Sequence, residues 1–210
     1  MRLLFIRHGD PDYEHDTLTE KGHREAALLA ERAGALELGD CYVSPLGRAQ
    51  ATAAYSMKKL GRTAKTLGWL QEFPAKVDLN RLPQFLHAYP NAKIKDGKYV
   101  PHVVWDIVPS YWAEYSDCMD PVRWRECDIC RNTDTVEVYD YVTGEFDRIL
   151  AEHSYIRDGR CYRVEKESKE TLTFFCHFGI TCVFLSHLWN VSPFLLWHSL
   201  ALAPTSVTEV

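Results

Sequence analysis

The 210-residue sequence has no run of 18 apolar residues, so no segment of it reads as a membrane-spanning helix. Met1 to Arg7 holds only four apolar residues in succession, too few for the core of a secretory signal. Positive charge is in deficit: 24 Lys and Arg stand against 29 Asp and Glu, and the net charge of −5 excludes the broad basic face of a nucleic-acid binder. A local cluster of Arg still reverses the field inside one pocket, so a phosphorylated substrate remains compatible. Metal motifs are absent as well. There is no HExxH, and His15, His23, His87, His102, His153, His187 and His198 are scattered without paired spacing. The seven cysteines are an odd number, which argues against a fully paired secreted protein. Cys127 and Cys130 have CxxC spacing, but a zinc site wants a second close pair and none exists. Reduced thiols in a cytoplasmic protein are therefore the expectation. Repeats and low-complexity tracts are missing too.

What is present suits a packed core. Apolar residues make up 46% of the chain and aromatics 12%, too much for disorder. The length fits one domain, 1–210, with a large insertion. Leu3 to Ile6 read as a buried strand broken by His8-Gly9-Asp10-Pro11. Thr19 is an N-cap for a helix ending near Gly34. Cys41 to Val43 read as a second strand, and Leu46 to Leu60 as an alanine-rich helix closed by Gly61. Thr63 to Leu67 suggest a third strand, with Glu72 just beyond it.

Residues 73–133 differ. Six of the ten prolines fall here, with Trp105, Tyr111, Trp112, Tyr115 and Trp124. Such a stretch cannot be one long element. It is read as an inserted lid of short helices and turns. Asp134 then opens a long amphipathic helix. Asp158-Gly159 marks a hairpin turn. Leu172 to Cys176 form a buried strand, Gly179 to Leu188 a helix, a short helix follows Pro193, and Ser206 to Val210 read as a last strand. Alternating strands and helices predict an α/β fold with a mainly parallel sheet. In such sheets function gathers at the carboxyl ends of the strands. Arg7-His8, Ser44 with Arg48, Glu72 and His177 all follow strand ends.

Arg7-His8-Gly9 at the end of a first strand resembles the signature of the histidine phosphatase superfamily, the phosphoglycerate-mutase-like proteins. Leu18-Thr19-Glu20-Lys21-Gly22, Ser44 to Ala53 (SPLGRAQATA) and Cys176-His177-Phe178-Gly179 resemble further motifs of that family, in family order. The resemblance covers residues 1–72 and 171–185 and leaves the insertion uncovered. It implies a three-layer α/β/α sandwich, a phosphohistidine intermediate, and neither metal nor cofactor.

The residue types suit that chemistry. Phosphoryl transfer is catalysed mainly by positioning and electrostatic stabilisation. Arg7 and Arg48 offer forked donors to phosphate. His8 attacks phosphorus through a neutral ring nitrogen. His177 completes the phosphate pocket, best as a charged donor. Glu72, in a Leu-x-Glu context similar to the family's, protonates the leaving oxygen and later activates water. Asp10, Asp12 and Glu14 are competing acids.

Three departures from the family pattern stand out: Asp10-Pro11 after the RHG, Glu25-Ala26 in the first helix, and Phe178 where Gly is common. The loop from Asp10 to Leu18 is short and acidic, and it lacks the Asn- and Arg-bearing loop with which the family's mutase branch holds a phosphosugar acid. The resemblance therefore implies a phosphatase acting on a small phosphorylated metabolite rather than a phosphoglycerate-type mutase. A non-catalytic phosphoprotein- or phospholigand-binding module is the alternative outside the enzymes. No nucleic-acid or membrane partner is expected.

Overall fold

Arg2–Arg7 forms strand β1, whose four central side chains are all buried. The computed structural model, which describes residues 1–210, places it inside a five-stranded sheet. The other strands are β2 (Asp40–Val43), β3 (Lys65–Thr66), β4 (Thr171–Cys176) and β5 (Val207–Glu209), and the spatial order is β5-β1-β4-β2-β3. All neighbours run parallel except β5, which lies antiparallel on the outer edge of β1. The predicted α/β class with a mostly parallel sheet is the one observed.

The chain divides into two compact units. The first holds Met1–Glu72, Asp147–Thr181 and Ala201–Val210, and the second Phe73–Phe146 and Cys182–Leu200.

In the first unit, register sorts the side chains onto two faces. Leu4, Ile6, Cys41, Val43 and Phe175 point to one face and pack with Leu29 and Ala33 of helix α1 (Glu20–Leu36) and Ala49, Ala53 and Met57 of helix α2 (Gly47–Leu60). On the other face Phe5, Phe174 and Tyr42 stack across three adjacent strands, with ring centroids 5.5 and 5.2 Å apart. These rings are buried too, as a parallel sheet covered on both sides requires.

Thr19 caps α1 as predicted, its Oγ1 accepting from the Gly22 N–H at 3.1 Å. The helix outlasts the predicted stop at Gly34 by two residues. Leu36 packs against the core, its carbonyl accepts from Arg2 Nη1 at 2.7 Å, and Glu37 takes the left-handed closing position at φ 51°. Helix α2 ends on Gly61, also left-handed. Strands 155–158 and 161–164 form the predicted hairpin, with Asp158 paired to Cys161.

The second unit contains most of helix α3 (Thr135–Glu152), the later turns of helix α4 (Phe178–Trp189), and helix α5 (Pro193–Ser199). Residues 73–133 are short helical turns, as the proline spacing requires, plus two ladders of two-residue strands at 76–77 with 102–103 and 94–95 with 98–99. Two residues leave no periodicity to read, so those ladders had no sequence signal. Aromatic packing dominates: Phe73 lies 5.6 Å from Trp197, Trp124 4.9 Å from Tyr139, and Phe146 stacks on Phe184 at 4.7 Å. No helix of the protein is long and apolar enough to cross a membrane.

Candidate active site

The site lies in the first unit, where the parallel strands end. His8 follows β1 and donates its backbone N–H to the Cys176 carbonyl at 3.1 Å, which fixes it beside the end of β4. Its ring is buried, and Nδ1 sits 2.7 Å from the Gly9 carbonyl. A carbonyl only accepts, so Nδ1 carries the proton and Nε2 keeps the lone pair. Burial lowers the His8 pKa to about 4. The Gly9 hydrogen bond opposes this, while the Arg48 and Arg7 charges add to it. The ring is therefore neutral at pH 7, as a nucleophile must be.

The turn carrying His8 is tied down by packing. Gly9 N–H donates to Thr52 Oγ1 at 3.0 Å, and the same hydroxyl donates to the Arg48 carbonyl one helical turn back. Gly22 in the first turn of α1 lies directly on this loop, where an added Cβ would stand 2.2 Å from the Asp10 carbonyl oxygen. That contact explains why the helix opens with a glycine three residues after its cap.

Arg7 donates through Nη1 to the Leu202 carbonyl, and its guanidinium carbon lies 6.0 Å from the Phe178 ring centroid. Phe178, the departure from the family's glycine, thus forms a wall beside this arginine. Arg48 is held by Asp16, whose Oδ1 lies 2.6 Å from Nη1 and whose Oδ2 accepts from Gly47 N–H at 2.7 Å. Burial works against the Asp16 charge, but these bonds outweigh it and its pKa is lowered. The Tyr13 ring, 70% exposed, lies 5.4 Å from the Arg48 guanidinium. The Nε atoms of both arginines are buried without a hydrogen-bond partner.

His177 follows β4 and is fully buried. Its ring centroid is 5.1 Å from that of His8. Nε2 pairs with Ser44 Oγ at 2.7 Å, while Nδ1 is buried and unpartnered. Its pKa is driven well below the usual histidine value by burial first, then by Arg48, His8 and Arg7. The charged form expected from sequence is thus disfavoured. The neutral ring donates through one nitrogen, and an approaching phosphate dianion shifts the balance back towards protonation. Glu72, half-buried, accepts the Ile180 N–H through Oε1 at 3.0 Å, which anchors the carboxylate to the first turn of α4, next to His177.

All five predicted residues thus follow the ends of parallel strands, with His8, Arg7, Arg48 and His177 close enough to perturb one another. Two of the three competing acids are otherwise engaged: Asp10 accepts from Thr19 Oγ1 at 2.7 Å and Asp12 pairs with His15 at 2.8 Å. Three contributors had no assigned role in the sequence reading: Ser44, Thr52 and Asp16. Ser44 stood at a strand end, which was its only signal. No group of three or more His, Cys, Asp or Glu side chains is arranged to hold a metal ion.

The geometry raises the question of kinship. Residues 3–89 match the histidine phosphatase superfamily, branch 1. That histidine-phosphatase segment contains Arg7, His8, Arg48 and Glu72. No curated protein matches the chain. Among solved structures, a mycobacterial glucosyl-3-phosphoglycerate phosphatase in complex with VO3 superposes with a TM-score of 0.58 at 17% identity, covering 99% of this chain and 91% of that one. A phosphoserine phosphatase from Entamoeba histolytica, in complex with 3-phosphoglyceric acid, gives 0.56 at 16% identity, covering 99% and 89%. A protein described as mycobacterial hydrolase 1 gives 0.60 at 16%, covering 99% and 90%. At such identities the likeness is one of fold alone.

Proposed function

We propose that the protein is a metal-independent phosphomonoesterase that acts on a small phosphorylated metabolite through a phosphohistidine at His8. The observation that carries this reading is a set of three buried, unpartnered nitrogen atoms, Arg7 Nε, Arg48 Nε and His177 Nδ1, beside a histidine whose Nε2 is the lone-pair nitrogen. An unsatisfied buried polar atom costs about 1–3 kcal/mol. Three together are tolerated where an oxyanion is to be bound. The fold neighbours named for phosphoserine and glucosyl-3-phosphoglycerate agree with a phosphomonoester of a small metabolite.

In the first half-reaction His8 Nε2 forms a bond to phosphorus as the P–O bond to the leaving group breaks. Arg7, Arg48 and His177 neutralise the equatorial oxygens. The departing alkoxide takes a proton from Glu72. In the second, Glu72 takes a proton from water as the water oxygen bonds to phosphorus, and the P–N bond breaks to restore neutral His8. Nδ1–H stays on the Gly9 carbonyl throughout, so the ring does not turn between steps.

The test is a hydrolysis screen over p-nitrophenyl phosphate and phosphorylated metabolites in EDTA, combined with rapid quench. Wild-type protein should turn over at least one substrate and carry acid-labile, alkali-stable phosphate. The His8→Ala variant should do neither. Failure on every phosphomonoester, with phosphate still bound, would identify a phospholigand-binding module instead.

A further inference from the structure

Ser44 takes no part in either half-reaction, but it touches a residue that does. It follows β2, and the pairing of β2 with β4 sets its hydroxyl against His177, with Oγ 2.7 Å from Nε2. Both side chains are fully buried. The serine backbone is held from two sides. Its N–H donates to the Phe175 carbonyl at 2.9 Å, and its carbonyl accepts from Gln50 Nε2 at 2.6 Å. The Leu46 N–H donates to Ser44 Oγ at 3.2 Å. A serine hydroxyl has one proton to give. The acceptor within reach of that proton is His177 Nε2.

One hydrogen bond carries one proton, so two arrangements of the neutral ring compete. With the hydrogen on Nε2, the Ser44 proton is stranded and Nδ1 keeps a buried lone pair that meets no donor. Two polar groups are then unsatisfied. With Ser44 donating to Nε2, the ring hydrogen sits on Nδ1, and that N–H is the single unsatisfied group. Each unmade hydrogen bond in a buried place is costly, so the second arrangement wins. Protons on both nitrogens would strand the Ser44 hydroxyl again, and burial together with Arg48, His8 and Arg7 opposes that charge.

We propose that Ser44 is a positioning residue that locks neutral His177 as the Nδ1–H tautomer, so that the ring offers an N–H to the substrate phosphate. The ligand in this proposal rests on the phosphatase reading; the tautomer does not. His8 and His177 then share one tautomer and use opposite nitrogens. His8 presents its Nε2 lone pair to phosphorus, and His177 its Nδ1–H to a phosphate oxygen. The reverse tautomer at His177 would set a lone pair against that oxygen. A ring free to choose is competent for only part of the time, and apparent affinity falls by that fraction.

The test needs no turnover. Full-length protein labelled with ¹⁵N-histidine is studied at pH 7 by long-range ¹H–¹⁵N correlation, with the His177→Asn variant identifying the His177 signals. In wild type, His177 Nδ1 should show the shift of a protonated ring nitrogen and Nε2 that of a lone-pair nitrogen. Ser44→Ala should draw the two shifts towards each other as the tautomers mix, and Ser44→Thr, which keeps a hydroxyl, should restore them. Inorganic phosphate should perturb Nδ1 in wild type and bind about 3–10-fold more weakly to Ser44→Ala. A lone-pair Nδ1 in wild type would overturn the proposal, and that spectrum decides even if the alanine variant does not fold. Shifts unchanged in Ser44→Ala would overturn the role of Ser44. Phosphomonoesters turned over by a protein with the reverse tautomer would sink this proposal and leave the phosphatase standing. The expected tautomer, lost in Ser44→Ala, in a protein that binds phosphate but hydrolyses nothing would uphold Ser44 and sink the phosphatase.

Discussion

Burial of His8 makes a prediction that needs no substrate. Its pKa moves from 6.5 to about 4 in the folded protein, with burial the largest cause. Above pH 6.5 the ring is neutral folded and unfolded, so it adds no pH dependence. As pH falls through 6.5 the unfolded chain takes up a proton that the folded protein refuses, and stability is lost until the folded ring titrates near pH 4. Between pH 7 and pH 5 one such site amounts to about 2 kcal/mol. The perturbation is His8→Asn, whose side-chain amide keeps an N–H for the Gly9 carbonyl but does not titrate. Urea denaturation of both proteins at pH 7.0 and 5.0 gives the difference. The wild type should lose about 2 kcal/mol more than the variant on acidification. His198, lowered by burial alone, remains in both proteins and cancels, and a His8→Asn/His177→Asn variant compared with His177→Asn isolates His8 from its neighbour. Equal losses would show that His8 titrates alike in both states, and the neutral-nucleophile argument would fail. In catalysis the same ionisation should put the acid limb of kcat/KM near pH 4, not near 6.5.

Further expectations follow from single contacts. Gly22→Ala drives a Cβ to 2.2 Å from the Asp10 oxygen and should destabilise by about 1–3 kcal/mol despite the better helix propensity, whereas Gly34→Ala in the same helix meets nothing within 4 Å and should stabilise by about 0.5–1 kcal/mol; thermal melts distinguish them. Thr52→Val removes the acceptor of Gly9 N–H and should cost about 1–3 kcal/mol by chemical denaturation, with kcat reduced as the His8 turn loosens. Glu72→Gln retains an acceptor for Ile180 N–H, so the fold should hold. Turnover of an alkyl phosphate should fall about 10²–10⁴-fold, and that of p-nitrophenyl phosphate less, provided burst kinetics show the first step to be limiting.

The elements that sequence revealed best are those whose signal is local. The β1 strand is a contiguous apolar run, α1 carries its own cap in Thr19, and α2 its own stop in Gly61. Strand-end logic then located Arg7, His8, Arg48 and His177, because the parallel sheet converts chain position into spatial position. Glu72 needed the resemblance: it follows a single helical turn at 68–70 and has no periodic context. Asp16 and Ser44 were hidden because their roles depend on approach across the fold. Asp16 reaches Arg48 only because its backbone takes a left-handed turn, φ 47°, that returns the loop to the start of α2. Ser44 meets His177 only once β2 and β4 have paired.

The place of β1 in the sheet bears on how the protein is made. Its two neighbours are β4 and β5, both drawn from the last forty residues, and Arg2 pairs with Glu209 across 207 positions of sequence. Nothing among residues 40–66 hydrogen-bonds to β1, although those residues form the rest of the sheet. On the ribosome the segment Leu3-Leu4-Phe5-Ile6 therefore waits with both edges unpaired while about 170 further residues are added. At 5–20 residues per second that interval is on the order of ten seconds or longer. His8, which follows β1, is therefore made well before the two strands that seat it. Slow emergence, chaperone shortage or a stall late in the message should hence yield aggregation through β1, and catalytic competence should appear only once Val207–Glu209 has docked.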